Sequence, residues 1–415
     1  MATATDKIRL AKAASTSIGL ASTHVKNDVL RKIAQLLPER SAQILAGNAK
    51  DMERAAADGM SVGLQDRLRL DEGRIQSLAK AVLEVVDLPD PVGDVIRGRT
   101  LPNGLKLQQI SVPFGVVGVI YEARPNVTVD IAALAIKSGN AVVLRGGTAA
   151  EHSNIALVAV LQDALSACGV HPDAIQSVDE FGRPGAQEMM QAVGLIDVLI
   201  PRGGHNLIQT VLNESKVPVI ETGEGVVHIF IDATARADWA AEIIVNSKVQ
   251  KIGACNAVET ILVHEAAYDR IMPSLVAVLQ EQQVTLHGDE RTTTSFGGVV
   301  AATEHDWETE YLAMDLAIKT VSGIDEALAH IARYSTKHTE AIITEDYSNA
   351  ERFINEVDAA AVIVNASTRF TDGGEFGFGA EVGISTQKLH ARGPMGLPEL
   401  TSTKWIVRGT GHVRA

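Results

Sequence analysis

Strand and helix patterns alternate along most of this chain, beginning at residue 115. The first series of short apolar runs predicts strands, separated by helical patterns, at 115–120, 141–144, 175–178, 197–200 and 217–220. A second series predicts strands at 227–231, 260–263, 341–344 and 361–364. Because parallel strands need crossover helices, each series favours a doubly wound parallel sheet, and the sequence therefore predicts two α/β domains.

Size and charge narrow the class of protein. A chain of 415 residues exceeds the size at which one hydrophobic core keeps growing. Its 37 Lys plus Arg against 51 Asp plus Glu give a net charge of -14, which disfavours a broad nucleic-acid or anionic-membrane surface. Apolar runs stay well below the roughly 20 residues of a membrane span, and the first residues lack a signal-peptide pattern. We therefore expect a cytoplasmic protein with neither nucleic-acid nor membrane partners.

Helices and a hairpin precede the strand series. The first ninety residues read as helices, and Pro38 is expected to begin one of them. Two short alternating runs between residues 94 and 113 are joined by Asn103-Gly104, a strong hairpin signal. The sequence therefore predicts a protruding arm, which the strand-like run at 404–408 is expected to complete.

Of the two cysteines, Cys255 lies where a loop enters the predicted strand at 260–263. A thiol in such a loop is placed to act as a nucleophile, although a small buried hydrophobe is an equally ordinary role for a free cysteine. Cys168 continues an apolar helical stripe and is expected to fill the core.

Four segments of the chain carry a resemblance to a known family: residues 116–127, 138–147, 255–263 and 364–397. They resemble the aldehyde dehydrogenase superfamily and, within it, the gamma-glutamyl phosphate reductase family. The resemblance implies an aldehyde dehydrogenase-like α/β fold with two doubly wound domains and a small oligomerisation hairpin. It implies an NADPH-binding domain at 1–97 and 114–225, an oligomerisation arm and closing strand at 98–113 and 397–415, and a catalytic domain at 226–396.

The implied activity is NADPH-dependent reduction of L-glutamyl 5-phosphate to L-glutamate 5-semialdehyde and phosphate, the second step of proline biosynthesis. Cys255 would form a thioester with the acyl group, and Lys248 and Lys251, just upstream, would favour its thiolate or be solvated loop charges. Asn126 would stabilise the oxyanion together with the backbone N–H of Cys255. For Asn126 the competing role is to cap the helix after Pro125.

The resemblance also supplies cofactor residues: Arg145, Gly146, Gly147, Thr148, Gly203, Gly204 and Glu310. Ordinary members of the superfamily have Lys-Pro-Ser-Glu where this chain has the run beginning at Arg145, and their glutamate binds the adenosine ribose. Because a carboxylate there would repel a 2'-phosphate, Thr148 in its place predicts NADPH over NADH. Gly203 and Gly204 would approach the pyrophosphate at a helix N-terminus, and Glu310 would hold the nicotinamide ribose or be a surface carboxylate.

The substrate-binding candidates within the resembling segments are Arg124, Arg369, Glu381, Lys388, His390 and Arg392. Arginine suits carboxylate and phosphate, while Glu381 or Asp372 would meet the α-ammonium; each charge has a structural ion pair as its alternative. Glu221 aligns with the glutamate that activates water in hydrolytic relatives, and a structural or cofactor-proximal role is expected for it instead. No metal is expected.

Alternative functions remain open from the sequence. One is an oxidative NAD(P)-dependent semialdehyde dehydrogenase, and another is a non-catalytic oligomeric binding subunit. The expected partners are the small-molecule substrate and further copies of the chain, in a homodimer or homotetramer, with functional coupling to glutamate 5-kinase as a further hypothesis.

Overall fold

The computed structural model describes residues 3–414, apart from the side chain of residue 62. Its helices are α1 Ala4–Gly19, α2 Thr23–Glu39, α3 Ser41–Ala57, α4 Val62–Leu68, α5 Glu72–Asp87, α6 Pro125–Lys137, α7 Glu151–Ala167, α8 Gly182–Gln191, α9 His205–Glu214, α10 Ala237–Val249, α11 Glu265–Glu281, α12 Glu290–Ser295, α13 Glu304–Trp307, α14 Ile324–Tyr334 and α15 Tyr347–Glu356.

The strands are β1 Val95–Thr100, β2 Lys106–Pro113, β3 Val116–Tyr121, β4 Ala141–Arg145, β5 Ile175–Ser177, β6 Val198–Arg202, β7 Val227–Ile231, β8 Val258–His264, β9 Thr285–Gly288, β10 Val300–Ala301, β11 Asp315–Val321, β12 Thr339–Ile343, β13 Ala361–Val364, β14 Ile384–Ser385, β15 Gly393–Pro394 and β16 Thr401–Arg408. The chain divides into two compact units. The first runs to Glu221 and includes Gly377–Gly383 and the chain from Met395 onward; the second comprises Thr222–Phe376 and Ile384–Pro394.

The helical start of the first unit agrees with the sequence pattern except at one boundary. Ser22 caps α2 by accepting a hydrogen bond from the Val25 N–H, and the predicted apolar stripe of α2 is largely buried. Pro38 does not begin a new helix, because it lies in the last turn of α2 and the next helix begins at Ser41. Helices α5 and α7 pack against α2 and cover its apolar stripe.

A parallel sheet lies at the centre of the first unit, with strand order β5-β4-β3-β6. Counted along the chain this is the order 3-2-1-4 of a doubly wound sheet, whose direction of winding reverses between β3 and β6. All residues of β3 are buried, as expected for a strand covered on both faces. The strand predicted at 217–220 is absent, since only an isolated bridge joins Val219 to Leu199.

The arm of the first unit is an antiparallel sheet with strand order β1-β2-β16. The hairpin predicted at Asn103-Gly104 is confirmed, and Gly104 takes the positive φ of 92° that its turn requires. The closing strand β16 pairs with β2 from Thr401 to Arg408. Its Trp405 and Val407 side chains are both more than half exposed.

A larger parallel sheet lies at the centre of the second unit, with strand order β10-β9-β11-β8-β7-β12-β13. Side chains alternate between its faces: Ile229 and Ile231 of β7 pack in one buried cluster and Phe230 in the other. Short strands β9 and β10 were not predicted, nor was β11, whose apolar run contains Asp315 and Lys319. Within residues 3–414, no helix is both long and apolar enough to cross a membrane.

Candidate active site

The cofactor turn, residues 145–148, follows β4 at the carboxyl end of the first sheet. The Gly146 N–H donates to Oδ1 of Asp179 over 2.7 Å, and Nδ2 of Asn154 donates to its Oδ2 over 2.8 Å. A Cβ on Gly146 would lie 2.2 Å from Nδ2 of Asn154, so only glycine fits. Burial raises the pKa of Asp179 to about 6. The turn is therefore held on a buried carboxylate.

Arg145 extends from this turn with two weak tethers of its own. Its Nε donates to the Gly182 carbonyl and its Nη2 to Oγ1 of Thr148, each over 3.4 Å. Burial lowers the pKa of Arg145; the charge of Asp179 opposes that shift, and the nearby charge of Arg183 adds to it. An anion beside the two guanidiniums would relieve their repulsion. Arg183 was missed from the sequence, because only the fold brings the start of α8 beside the end of β4.

Gly203 and Gly204 lie between β6 and α9, where the sheet changes its direction of winding. The Gly204 N–H donates to Oε1 of Glu122 over 2.8 Å, so this carboxylate holds an amide at the start of α9. A Cβ on Gly203 would meet Cγ of Glu122 at 2.8 Å. Glu122 therefore acts as an anion at the helix N-terminus that was predicted to meet a pyrophosphate.

Asn126 lies exposed in the first turn of α6, directly after Pro125. It does not cap this helix, because the N-cap residue is Arg124. Nδ2 of Asn126 donates to Oδ2 of Asp130 over 3.1 Å, and burial raises the pKa of Asp130 to about 6. The helix-cap alternative for Asn126 is therefore wrong, and its amide is oriented by a carboxylate one turn further along.

The nucleophile loop, residues 250–257, contains a half-buried Cys255 and leads into β8. Nδ2 of Asn256 donates to the carbonyls of Arg369 and Thr371, over 3.4 and 2.9 Å. Oγ1 of Thr368 donates back to the Asn256 carbonyl over 2.6 Å. Three hydrogen bonds to residues 368–371 thus fix Asn256, the residue that follows the thiol.

Gly225 connects the nucleophile loop to Glu310. A Cβ on Gly225 would lie 1.4 Å from the carbonyl oxygen of Cys255, so the two backbones approach as closely as glycine allows. The Gly225 N–H donates to Oε1 of Glu310 over 2.8 Å. Because β7, β8 and β11 are neighbours in a parallel sheet, the segments before them meet at one edge. The thiol loop and Glu310 are therefore parts of one cluster, and Glu310 is not an ordinary surface carboxylate: burial raises its pKa.

A fully buried ion pair lies beneath this cluster. Nζ of Lys248, in α10, donates to Oε2 of Glu259, in β8, and both side chains have 0% exposure. Burial raises the pKa of Glu259 and lowers that of Lys248, while the charge of each partner opposes the shift of the other. Lys248 is therefore not a solvated loop charge, whereas Lys251 is exposed. No pattern in the sequence predicts this pair, because a helix end and a strand meet only in the fold.

The structure separates the substrate-binding candidates. Lys388 and Arg392 both pair with Asp358, over 2.9 and 2.7 Å, and these contacts hold the pKa of Asp358 well below its usual range. Arg369 lines a cavity of about 270 Å³ whose other residues are Asn246, Gln250, Phe370, Asp372 and Glu375. Nε of Arg369 donates to Oε1 of Gln250 over 2.8 Å. Arg369 and Asp372 are thus brought together, and beside the nucleophile loop.

The remaining candidates are placed as follows. Arg124 and Glu221 are half-buried in the first unit, as is Glu381, whereas His390 is exposed in the second unit with a φ of 66°. The structure does not gather these four residues within one unit. Among residues 3–414, no group of His, Cys, Asp or Glu has an arrangement that would hold a metal ion.

Similarity to known proteins extends over most of the chain. Residues 2–316 match the model of the aldehyde dehydrogenase family. The chain is 58% identical over 411 residues to the gamma-glutamyl phosphate reductase of Leifsonia xyli, covering 99% of this chain and 98% of that one. It is 56% identical over 404 residues to the enzyme of the same name from Thermobifida fusca, covering 97% of each.

A solved structure is similar over the whole length. The crystal structure of gamma-glutamyl phosphate reductase from Thermotoga maritima matches with a TM-score of 0.97 and 46% identity, covering 100% of both chains. The predicted fold class, an aldehyde dehydrogenase-like α/β fold with parallel sheets, is therefore confirmed.

Proposed function

The chain belongs to the aldehyde dehydrogenase family and, within it, to the gamma-glutamyl phosphate reductases, and from this premise we propose that it reduces L-glutamyl 5-phosphate to L-glutamate 5-semialdehyde and phosphate. The reaction would be the second step of proline biosynthesis. The observation that carries the proposal is the cluster in which Gly225 joins the backbone of Cys255 to the buried carboxylate of Glu310.

Cys255 is the proposed nucleophile. Its thiolate attacks the acyl carbon, the C–O bond to phosphate breaks with its electron pair, and a thioester remains on Cys255. When bound at the cofactor turn, NADPH would provide the hydride for reduction of this thioester. The C–S bond then breaks, and the thiolate of Cys255 is regenerated as the aldehyde leaves. The fixed backbone around Cys255 and Asn256 keeps the thiol in one position through both steps.

Asn126 is the proposed side-chain donor to the oxyanion that forms when the acyl carbon becomes tetrahedral. Its Nδ2 is oriented by Asp130, which leaves the second N–H of the amide for a ligand. The backbone N–H of Cys255 is proposed as the other donor. In a site that excludes water, removal of one such donor typically costs about 3–4 kcal/mol of transition-state stabilisation.

The cofactor turn is proposed to bind NADPH in preference to NADH. The fit rests on a glycine that leaves no room for a Cβ, on the absence of a carboxylate at Thr148, and on the mutual repulsion of Arg145 and Arg183. A 2'-phosphate would pair with both guanidiniums. The pyrophosphate is proposed to contact Gly203 and Gly204, and the nicotinamide ribose is proposed to contact Glu310. When the pyrophosphate binds, it would replace the Glu122 carboxylate as the acceptor for the Gly204 N–H.

The cavity lined by Arg369 and Asp372 is proposed to bind the amino-acid end of the substrate. A zwitterion needs one cation for its carboxylate and an anion for its ammonium, and this cavity offers Arg369 with Asp372 and Glu375. The assignment leaves Lys388 and Arg392 as partners of Asp358. The phosphate of the substrate also has to be bound. The further substrate-binding candidates are Arg124, Glu381 and His390.

The arm is proposed to join copies of the chain in a homodimer or homotetramer. Val95 and Ile96 of β1 and Trp405 and Val407 of β16 are each more than half exposed, and apolar strand edges of this kind pair with other strands. Light scattering at micromolar concentration should give a multiple of the chain mass. Functional coupling to glutamate 5-kinase would supply the labile acyl phosphate directly.

The reaction is tested in the reverse direction, because the acyl phosphate is labile. The purified protein is given glutamate-5-semialdehyde, NADP and inorganic phosphate, and reduced cofactor is measured by absorbance. We expect reduction that depends on phosphate and is faster with NADP than with NAD. Reduction at the same rate without phosphate would instead identify an oxidative dehydrogenase, with Glu221 as its candidate base.

A further inference from the structure

The buried ion pair of Lys248 and Glu259 has no place in the reaction described above. Removing two charges from water is costly, and a pair of apolar side chains of similar size would serve stability at least as well. Both side chains are nevertheless fully buried and directly bonded in this unit. The position of the pair in the chain suggests what it does.

The pair closes the base of the nucleophile loop. Lys248 lies in the last turn of α10 and Glu259 is the second residue of β8, so their bond joins the two elements between which Cys255 is suspended. Helix end and strand start are thereby fixed at one separation. The loop between them has few conformations left, because its ends are joined by a buried ion pair.

The second oxygen of Glu259 reaches a different segment. Oε1 accepts a hydrogen bond from the Leu312 N–H over 3.2 Å, while Oε2 is bonded to Lys248. Leu312 has a φ of 50°, an unusual conformation for a residue other than glycine, and so the surrounding structure must hold it there. Residues 308–314, which contain Glu310, are therefore tied to the same carboxylate.

A third contact links Lys248 to this segment directly. Its Nζ lies 5.8 Å from the centre of the Tyr311 ring. The hydroxyl of Tyr311 donates to Oδ1 of Asp306 over 2.7 Å, which fixes the ring from its other end. Tyr311 and Leu312, the two residues that follow Glu310, therefore both contact the buried pair.

We propose that Lys248 and Glu259 are positioning residues that keep Cys255 and Glu310 at a fixed separation. They act on Cys255 through the two ends of the nucleophile loop and on Glu310 through the Leu312 N–H. The pair acts by fixing where the thiol and the carboxylate of Glu310 lie relative to each other. The part that concerns turnover rests on the proposed function, whereas the part that concerns the reactivity of the thiol does not.

Three variants test the proposal: Lys248→Met, Glu259→Leu, and the double variant. Rates of Cys255 alkylation by iodoacetamide are measured by mass spectrometry with Cys168 as the internal reference, together with kcat, KM for the cofactor and thermal stability. Lys80→Met is the matched control, because Lys80 pairs with Glu84 at an exposed position. We expect Lys248→Met to slow Cys255 alkylation about tenfold and to lower kcat about a hundredfold.

The cofactor KM separates the two members of the pair. Glu259→Leu also removes the acceptor for Leu312, so it should raise that KM more than Lys248→Met does. The double variant removes both buried charges and should recover thermal stability, but Cys255 alkylation and kcat should stay low. This result would be obtained even if each single variant folded poorly.

The proposal is overturned if the double variant recovers stability, alkylation and kcat together, because the pair would then be structural only. It is also overturned if Lys248→Met alkylates at the wild-type rate. If wild-type protein shows no phosphate-dependent reduction of NADP but the alkylation rates still fall, the positioning role stands and the proposed reaction fails.

Discussion

The cofactor turn of the first unit and the nucleophile loop of the second are held by different contacts. In the cofactor turn the Gly146 N–H is bonded to Asp179 and the Thr148 carbonyl accepts a hydrogen bond from Arg54, while Arg145 is only weakly tethered. The nucleophile loop is fixed at its base by buried side chains, by Lys248 with Glu259 and by Asn256. The first arrangement leaves the guanidinium of Arg145 available for a ligand, while the second fixes the backbone next to the thiol. A loop that receives a ligand and a loop that must place one atom thus have different physical requirements.

The largest expected effect tests the thiol itself. Cys255→Ser should lower turnover by at least about a thousandfold, because a neutral hydroxyl is a far weaker nucleophile than a thiolate. Cys168→Ser, at the C-terminal end of α7, is the matched control and should retain wild-type turnover. Steady-state kinetics of the reverse reaction measure both. Equal losses in the two variants would remove the distinction between the loop and the rest of the molecule.

A smaller effect is expected from crowding the nucleophile loop. In Gly225→Ala the new Cβ would lie 1.4 Å from the carbonyl oxygen of Cys255, so one of the two backbone segments must move. A displacement of about 1 Å typically costs about a hundredfold in rate. Gly297→Ala, where nothing lies within 4 Å of the new Cβ, should behave like wild type. If both variants turn over normally, the loop is less rigid than the comparison requires.

The cofactor turn should respond in affinity and not in rate. Arg145→Gln should raise the KM for NADPH about tenfold or more and leave the KM for NADH nearly unchanged, because only the former has a 2'-phosphate. Arg9→Gln, an exposed arginine of the same unit, is the control. Steady-state assays with both cofactors measure the split. An equal rise for both cofactors would mean that Arg145 supports the turn without contacting a phosphate.

A separate effect, on stability and not on turnover, concerns pH. Burial raises the pKa of Asp179 to about 6 from 3.8, so the fold favours its protonated form. Its contribution to stability is complete below pH 3.8 and is lost as the pH rises through about 6, amounting to about 3 kcal/mol. In Asp179→Asn this part of the pH dependence should disappear, while the exposed Asp58→Asn should retain it. Urea unfolding at several pH values measures the slope; identical slopes would exclude the effect.

The sequence predicted the architecture better than the site. Short continuous apolar runs, separated by helical patterns, predicted β3, β4, β7 and β13. Such runs are typical of strands in a parallel sheet that is covered on both faces. The strand at 217–220 was wrong, since an apolar run without neighbouring strand partners forms only a bridge. The run of β11 was missed because charged residues interrupt it.

Within the site, Cys255 was singled out by its place in the chain and by resemblance, but its surroundings were not. The Lys248–Glu259 bond, the approach of Gly225 to Cys255 and the pairing of Lys388 with Asp358 each join residues that only the tertiary fold brings together. A single sequence contains no signal for such distances. The residue types that carry the chemistry were therefore predictable, and the contacts that hold them were not.

The central claim, an acyl group carried on Cys255, is tested most directly by omitting phosphate. Protein mixed rapidly with glutamate-5-semialdehyde and NADP, then quenched in acid, should reduce about one equivalent of NADP per chain and gain a glutamyl group on the peptide that contains Cys255. Adding phosphate should convert this burst into continuous turnover. Continuous reduction without phosphate and without an adduct, or an adduct on Cys168, would contradict the account.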